Sequence, residues 1–149
     1  MAAVKKILYV EDSENDIELT TEALRGLSLA NEIIIARDGA EALDYLYSKG
    51  KYEDRPAELP ILMLLDLKLP KISGLEVLRI IKADPSMRTL PIVVLTSSRE
   101  ERDLVEGYRL GVNAYVVKPV DFQQFVQSVR NLGCFWAVIN EPPPKIASV

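Results

Sequence analysis

The chain has 149 residues, 48% of them hydrophobic and 27% charged, which suits one globular domain with a continuous core and excludes disorder over most of its length. A net charge of −4, with no Lys/Arg cluster longer than Lys5-Lys6, lacks the basic footprint of a nucleic-acid binder. The absence of histidine excludes a Ser-His-Asp or Cys-His centre and a histidine-ligated metal, and the single Cys134 excludes an internal disulfide and a Cys-rich zinc site.

In chain order, Lys6-Val10 reads as a first strand, with Glu11 and Asp12 directly after it and helical period from about Asn15 to Leu27. A second strand over Glu32-Ala36 leads to a helix over Ala40-Ser48. The polar stretch Gly50 to Leu59 exceeds the usual connection of about 2 to 6 residues and is expected to be a surface insertion without chemistry. A third strand over Ile61-Leu65 stops at Asp66, and a helix follows over Gly74-Ala83. A fourth strand over Ile92-Leu95 stops at Thr96, before a helix over Glu100-Leu110. A fifth strand over Ala114-Val117 stops at Lys118-Pro119, before a helix over Phe122-Asn131. The third and fourth strands lack polar alternation, as strands covered on both faces do. Five such repeats predict an α/β fold, a doubly wound five-stranded parallel sheet with five helices.

After Gly133 the composition changes to Cys134-Phe135-Trp136 and then Glu141-Pro142-Pro143-Pro144, where no helix can continue. Residues 1–133 are therefore expected to form the domain and 134–149 a tail continuing the last helix. No apolar run approaches the ~20 residues of a bilayer-spanning helix, and Met1 to Val10 has no signal-peptide pattern, so no membrane insertion and a cytoplasmic location are expected.

Ligands of a doubly wound sheet sit beyond the carboxyl ends of its strands. Glu11, Asp12, Asp66, Thr96 and Lys118 all fall there. Glu11, Asp12 and Asp66 offer hard oxygen ligands only, a set that suits Mg²⁺ holding several waters. Acids after strands also cap helices, as Asp12 or Ser13 could for the helix beginning near Asn15. Lys118, closing an apolar run before a proline, reads as a positioned cation able to pair with a carboxylate or a phosphoryl oxygen. Thr96 could hydrogen-bond such a group, or simply end a strand.

The spacing is specific. Val10-Glu11-Asp12-Ser13 is followed by Leu64-Leu65-Asp66-Leu67-Lys68-Leu69-Pro70 with Gly74 shortly after; Thr96 comes 30 residues beyond Asp66, and Lys118-Pro119 a further 22 on. In these features the chain resembles the receiver domains of two-component response regulators, over roughly Lys5 to Leu132. The resemblance implies a flavodoxin-like strand order 2-1-3-4-5 and a phosphoryl group accepted on Asp66 from a sensor histidine kinase. It implies Mg²⁺ held by Asp12 and Asp66, by Glu11 through water, and by the backbone carbonyl of Lys68. Thr96 and Lys118 would contact the phosphoryl group, and Tyr115, three residues before the lysine, would be the aromatic switch. The Lys118-Pro119 bond could be cis, which costs an X-Pro bond only about 0.5 to 1 kcal/mol.

Too few residues follow Leu132 for an effector domain, so output is expected by contact, from a stand-alone receiver. Phe122, Phe125, Val126, Val129 and Leu132 recur at helical spacing, and Trp136 continues the stripe beside Phe135. Two adjacent large aromatics cannot both face the sheet, so one is expected to meet a partner. The long last helix, the insertion and the proline tail resemble the phytochrome-associated single-domain regulators. That likeness implies a homodimer through the last helix and tail, with a bacteriophytochrome as the candidate kinase. Two other classes fit less well. An aspartyl-phosphate hydrolase wants a second aspartate where Lys68 stands, and a flavin binder would meet an acidic loop after the first strand.

Overall fold

The computed structural model describes residues 6–24, 32–56, 58–97 and 114–119, together with Gln123 and Gln127. Its strands are β1 (Lys6–Val10), β2 (Glu32–Ala36), β3 (Leu62–Asp66), β4 (Ile92–Thr96) and β5 (Ala114–Val117). All neighbouring pairs are parallel, in the order β2-β1-β3-β4-β5. The doubly wound architecture expected from the sequence is therefore present. Every residue of β3 and β4 is buried, whereas edge strand β2 is only partly covered. That difference follows from sequence, because Leu-Met-Leu-Leu and Ile-Val-Val-Leu have no polar side to turn to water.

Among the described residues the α-helices are α1 (Glu14–Leu24), α2 (Gly39–Tyr47) and α3 (Gly74–Ala83). The helices expected over Glu100-Leu110 and Phe122-Asn131 lie outside the described residues, apart from Gln123 and Gln127, which are helical and exposed. Local chemistry sets the helix starts. Asp38 and Ser73 are extended residues whose side chains accept the N–H of Glu41 and Glu76, each worth roughly 1 kcal/mol. Helix α2 stops where Ser48 turns left-handed.

The sheet divides the core. Leu8, Val10, Met63, Leu65, Ile92 and Val94 form one cluster with Ala42, Leu46, Val77, Leu78 and Ile81 of α2 and α3. The alternate residues Ile7, Tyr9, Leu62 and Leu64 are equally buried and face the other way, where α1 buries Ile17, Thr20 and Leu24 at helical spacing. Truncating a central residue such as Leu64 to alanine removes about 2 to 5 kcal/mol at sites of this kind.

The insertion has more structure than a bare surface loop. Gly50–Tyr52 form a 3₁₀ turn, and Tyr52 donates its hydroxyl proton to Glu41 Oε2 at 2.8 Å. Arg55 donates twice to the carbonyl of Tyr45, from Nε at 3.0 Å and Nη2 at 2.8 Å, with its guanidinium 3.9 Å from the centre of that ring. Carbonyls in the last turn of a helix lack partners within it, and Arg55 supplies one. The insertion thus caps α2.

Candidate functional site

Beyond the carboxyl ends of β1 and β3, carboxylate oxygens of Glu11, Asp12 and Asp66 lie within 4.8 Å of one another. Glu11 and Asp66 are buried and Asp12 is exposed, so the group opens to water on one side. Glu11 is held by its neighbours. Its N–H donates to Ala36 O at 2.9 Å, the Tyr9 hydroxyl donates to Oε1 at 3.3 Å, and Ser13 N–H donates to Oε2 at 3.5 Å. Ser13, and not Asp12, caps α1, accepting the Asp16 N–H on Oγ at 3.2 Å. That settles which of the two expected candidates takes the capping role.

Asp66 is the last residue of β3, in register with Leu95 of β4, and is 4% exposed. Its Oδ1 accepts the N–H of Lys68 at 3.4 Å. Gly74 begins α3 so close behind this segment that a Cβ there would lie 2.3 Å from the Asp66 carbonyl oxygen. Only glycine lets the helix start that near the acid.

Lys118 enters from the far edge of the site. Its N–H donates to Thr96 O at 2.8 Å, fixing the end of β5 against β4, and the Lys118-Pro119 bond is cis. The ammonium lies 2.9 Å from Glu11 Oε1, 2.9 Å from Asp16 Oδ2 and 3.3 Å from Asp66 Oδ1. Burial pushes the Asp66 carboxyl up to about 7, aided by hydrogen bonding and charge from Glu11 and opposed by Lys118. Burial alone would lower the Lys118 ammonium, but hydrogen bonds to Asp16 and Glu11 and the charges of Asp66 and Glu11 hold it above the usual lysine range. Several carboxylates share one lysine, which is the electrostatic setting a hard divalent cation relieves.

Thr96 is fully buried at the end of β4, and Tyr115 is partly buried against the core cluster. The structure therefore brings Glu11, Asp12, Asp66 and Lys118 to one crevice, with Thr96 joined to it through the Lys118 backbone. At Lys68 the N–H touches the acid. Phe135 and Trp136 lie outside the described residues. Two contributors went unnoticed in the sequence. Asp16 is signalled only by Ser13-Glu14-Asn15-Asp16, which puts an acid one turn into α1. Tyr9 is signalled only by strand alternation, which aligns it with Glu11 two residues on. Burial raises the Tyr9 hydroxyl well above its usual range, so it stays a donor.

The response regulator receiver domain profile matches residues 7–130. The response regulator Rcp1 of Synechocystis sp. is 42% identical over 132 residues, covering 89% of this chain and 88% of that protein. Its Mn²⁺-bound crystal structure has a TM-score of 0.72 at 40% identity, covering 95% of this chain and 99% of that one. The bacteriophytochrome response regulator AtBRR has a TM-score of 0.87 at 56% identity, covering 94% of this chain and 100% of that one. The phosphorylated cyanobacterial phytochrome response regulator RcpA has a TM-score of 0.72 at 42% identity, covering 96% and 100%.

Proposed function

The chain belongs to the receiver-domain family of two-component response regulators, and from that premise we propose that Asp66 accepts a phosphoryl group from a sensor histidine kinase. The observation that carries the reading is the buried Asp66 carboxylate with the Lys118 ammonium 3.3 Å from its Oδ1. In the transfer, an Asp66 oxygen forms the new P–O bond as the P–N bond of the kinase's phosphohistidine breaks, and the leaving imidazole nitrogen takes up a proton. Lys118 neutralises charge on the transferring oxygens, and the buried hydroxyl of Thr96 closes on the product.

Glu11, Asp12 and Asp66, with the carbonyl of Lys68, would hold Mg²⁺. The all-oxygen donor set fits that ion, which supplies charge neutralisation and orientation when bound. The chain acts as a phosphoacceptor, catalysing transfer only to its own Asp66. The acyl phosphate carries about two negative charges in place of the carboxylate's one, with new acceptor oxygens, which draw Thr96 inward and let Tyr115 follow.

The likeness to AtBRR and RcpA supports a light-sensing bacteriophytochrome kinase as donor. Output is by altered protein contacts, including a homodimer through the last helix and the tail from 134 to 149, where Phe135 and Trp136 are the candidate contacts. Among the described residues no helix is long and apolar enough to cross a membrane, and none of the motifs calls for nucleic acid; a cytoplasmic site of action fits both. The test is labelling by a small phosphodonor. Mg²⁺-dependent, hydroxylamine-labile labelling is expected in the parent and absent in Asp66→Asn; equal labelling of the variant overturns the assignment.

A further inference from the structure

Lys118 has more anionic partners than phosphoryl acceptance requires. Besides Glu11 and Asp66 it meets Asp16 Oδ2 at 2.9 Å, a contact across 102 positions of sequence. Asp16 is the third residue of α1, and Ser13 is the cap, so an acid at that place ordinarily reaches back to the N–H of the cap. In this chain the Ser13 N–H donates to Glu11 Oε2 instead. The Asp16 carboxylate is thereby released from capping and given to the lysine.

Glu11 and Asp66 are also carboxylates on which a divalent cation would draw, whereas Asp16 lies outside that cluster. Lysine and dication therefore compete for the same two acids, and at such separations they repel each other. Without a third anion the lysine would either weaken cation binding or leave for solvent. We propose that Asp16 is a positioning residue for Lys118: it takes over the ammonium when a divalent cation occupies Glu11, Asp12 and Asp66, and keeps it beside the acceptor. This purpose rests on the reading of Asp66 as the phosphoryl acceptor, but the anchoring acts before any phosphoryl group arrives.

The test is a calorimetric Mg²⁺ titration of the full chain with no phosphodonor present. Asp16→Asn is expected to weaken Mg²⁺ binding about fivefold, the scale of coupling within one charged network. Asp16→Ser, which retains a residue suited to a helix start, gives the same loss, and Asp16→Glu restores affinity to within about twofold. In a Lys118→Met background, Asp16→Asn changes affinity by less than about twofold. Lysine-ammonium NMR supplies a second readout: the Lys118 signal survives saturating Mg²⁺ in the parent and is lost in Asp16→Asn. Unchanged affinity together with a retained Lys118 signal in Asp16→Asn overturns the proposal, as does an equal loss of affinity in the Lys118→Met background, which would mean through-space charge alone. Labelling of Asp66→Asn would overturn the acceptor reading without altering these titrations, so the two fail separately.

Discussion

Replacing Asp66 by asparagine should stabilise the protein when no divalent cation is present, and the gain should depend on pH. The folded chain holds this carboxyl at about 7, against an ordinary value of 3.8. A raised carboxyl keeps its proton in the fold where the unfolded chain releases it. Ionised Asp66 therefore opposes folding above pH 7, and that opposition fades as pH falls from 7 towards 3.8. Three pH units at 1.36 kcal/mol each set a ceiling of roughly 4 kcal/mol. Asparagine also deprives Lys118 of one partner, which brings the expected gain at pH 8 to about 2 kcal/mol, or about 4 to 8 °C in Tm for a chain of this size. Thermal and urea unfolding in EDTA at pH 8 and pH 5 would measure it. At pH 5 the native Asp66 is already protonated, but the unfolded chain still releases that proton. Only the span from 5 down to 3.8, about 1.6 kcal/mol at most, still opposes folding, so the gain should be much smaller than at pH 8. Mg²⁺ at tenfold its Kd should then add about 1.4 kcal/mol to the parent and almost nothing to the variant. No gain at pH 8, or the same gain at both pH values, would refute the account of Asp66 as an acid strained by burial and by Glu11.

Lys118→Ala should retain Mg²⁺ binding yet abolish the phosphodonor-dependent change in self-association seen by sedimentation; a normal response would make Lys118 structural. Gly74→Ala forces a Cβ to within 2.3 Å of the Asp66 carbonyl oxygen, so it should cost about 2 kcal/mol or more in urea unfolding and slow labelling of Asp66; a neutral result would show that α3 can withdraw freely. Trp136→Ala should weaken dimerisation, and an unchanged association constant would remove Trp136 from the interface.

The strands were legible because their composition leaves no alternative: Leu62 to Leu65 and Ile92 to Leu95 have no polar face. Their ends were read one residue short, since Asp66 and Thr96 still pair within the ladder although their side chains belong to the crevice. That Glu11, Asp66, Thr96 and Lys118 stand at strand ends was legible because each closes an apolar run. Asp16 was hidden because its partner is 102 positions away and an acid in the first turn of a helix already has an ordinary explanation. Tyr9 was hidden because a tyrosine in a buried strand looks like packing until its hydroxyl is followed to Glu11. The Gly50 to Leu59 segment read as polar surface, because nothing in its composition announces that Arg55 would reach the end of α2.

The place of Asp66 within the β3 ladder has a consequence for how a chemical mark could spread. Its strand lies between β1 and β4, every residue of it buried, and Asp66 itself stands in register with Leu95 of β4, so a modified side chain cannot carry its own strand along. On the proposed reading, the response would begin in side chains at and beside the strand ends, with Thr96 and Tyr115 as the candidates. The sheet then serves as a fixed datum, and the message is a change of outline at its rim. Backbone amides of β3 and β4 should exchange with deuterium equally slowly whether or not the mark is present.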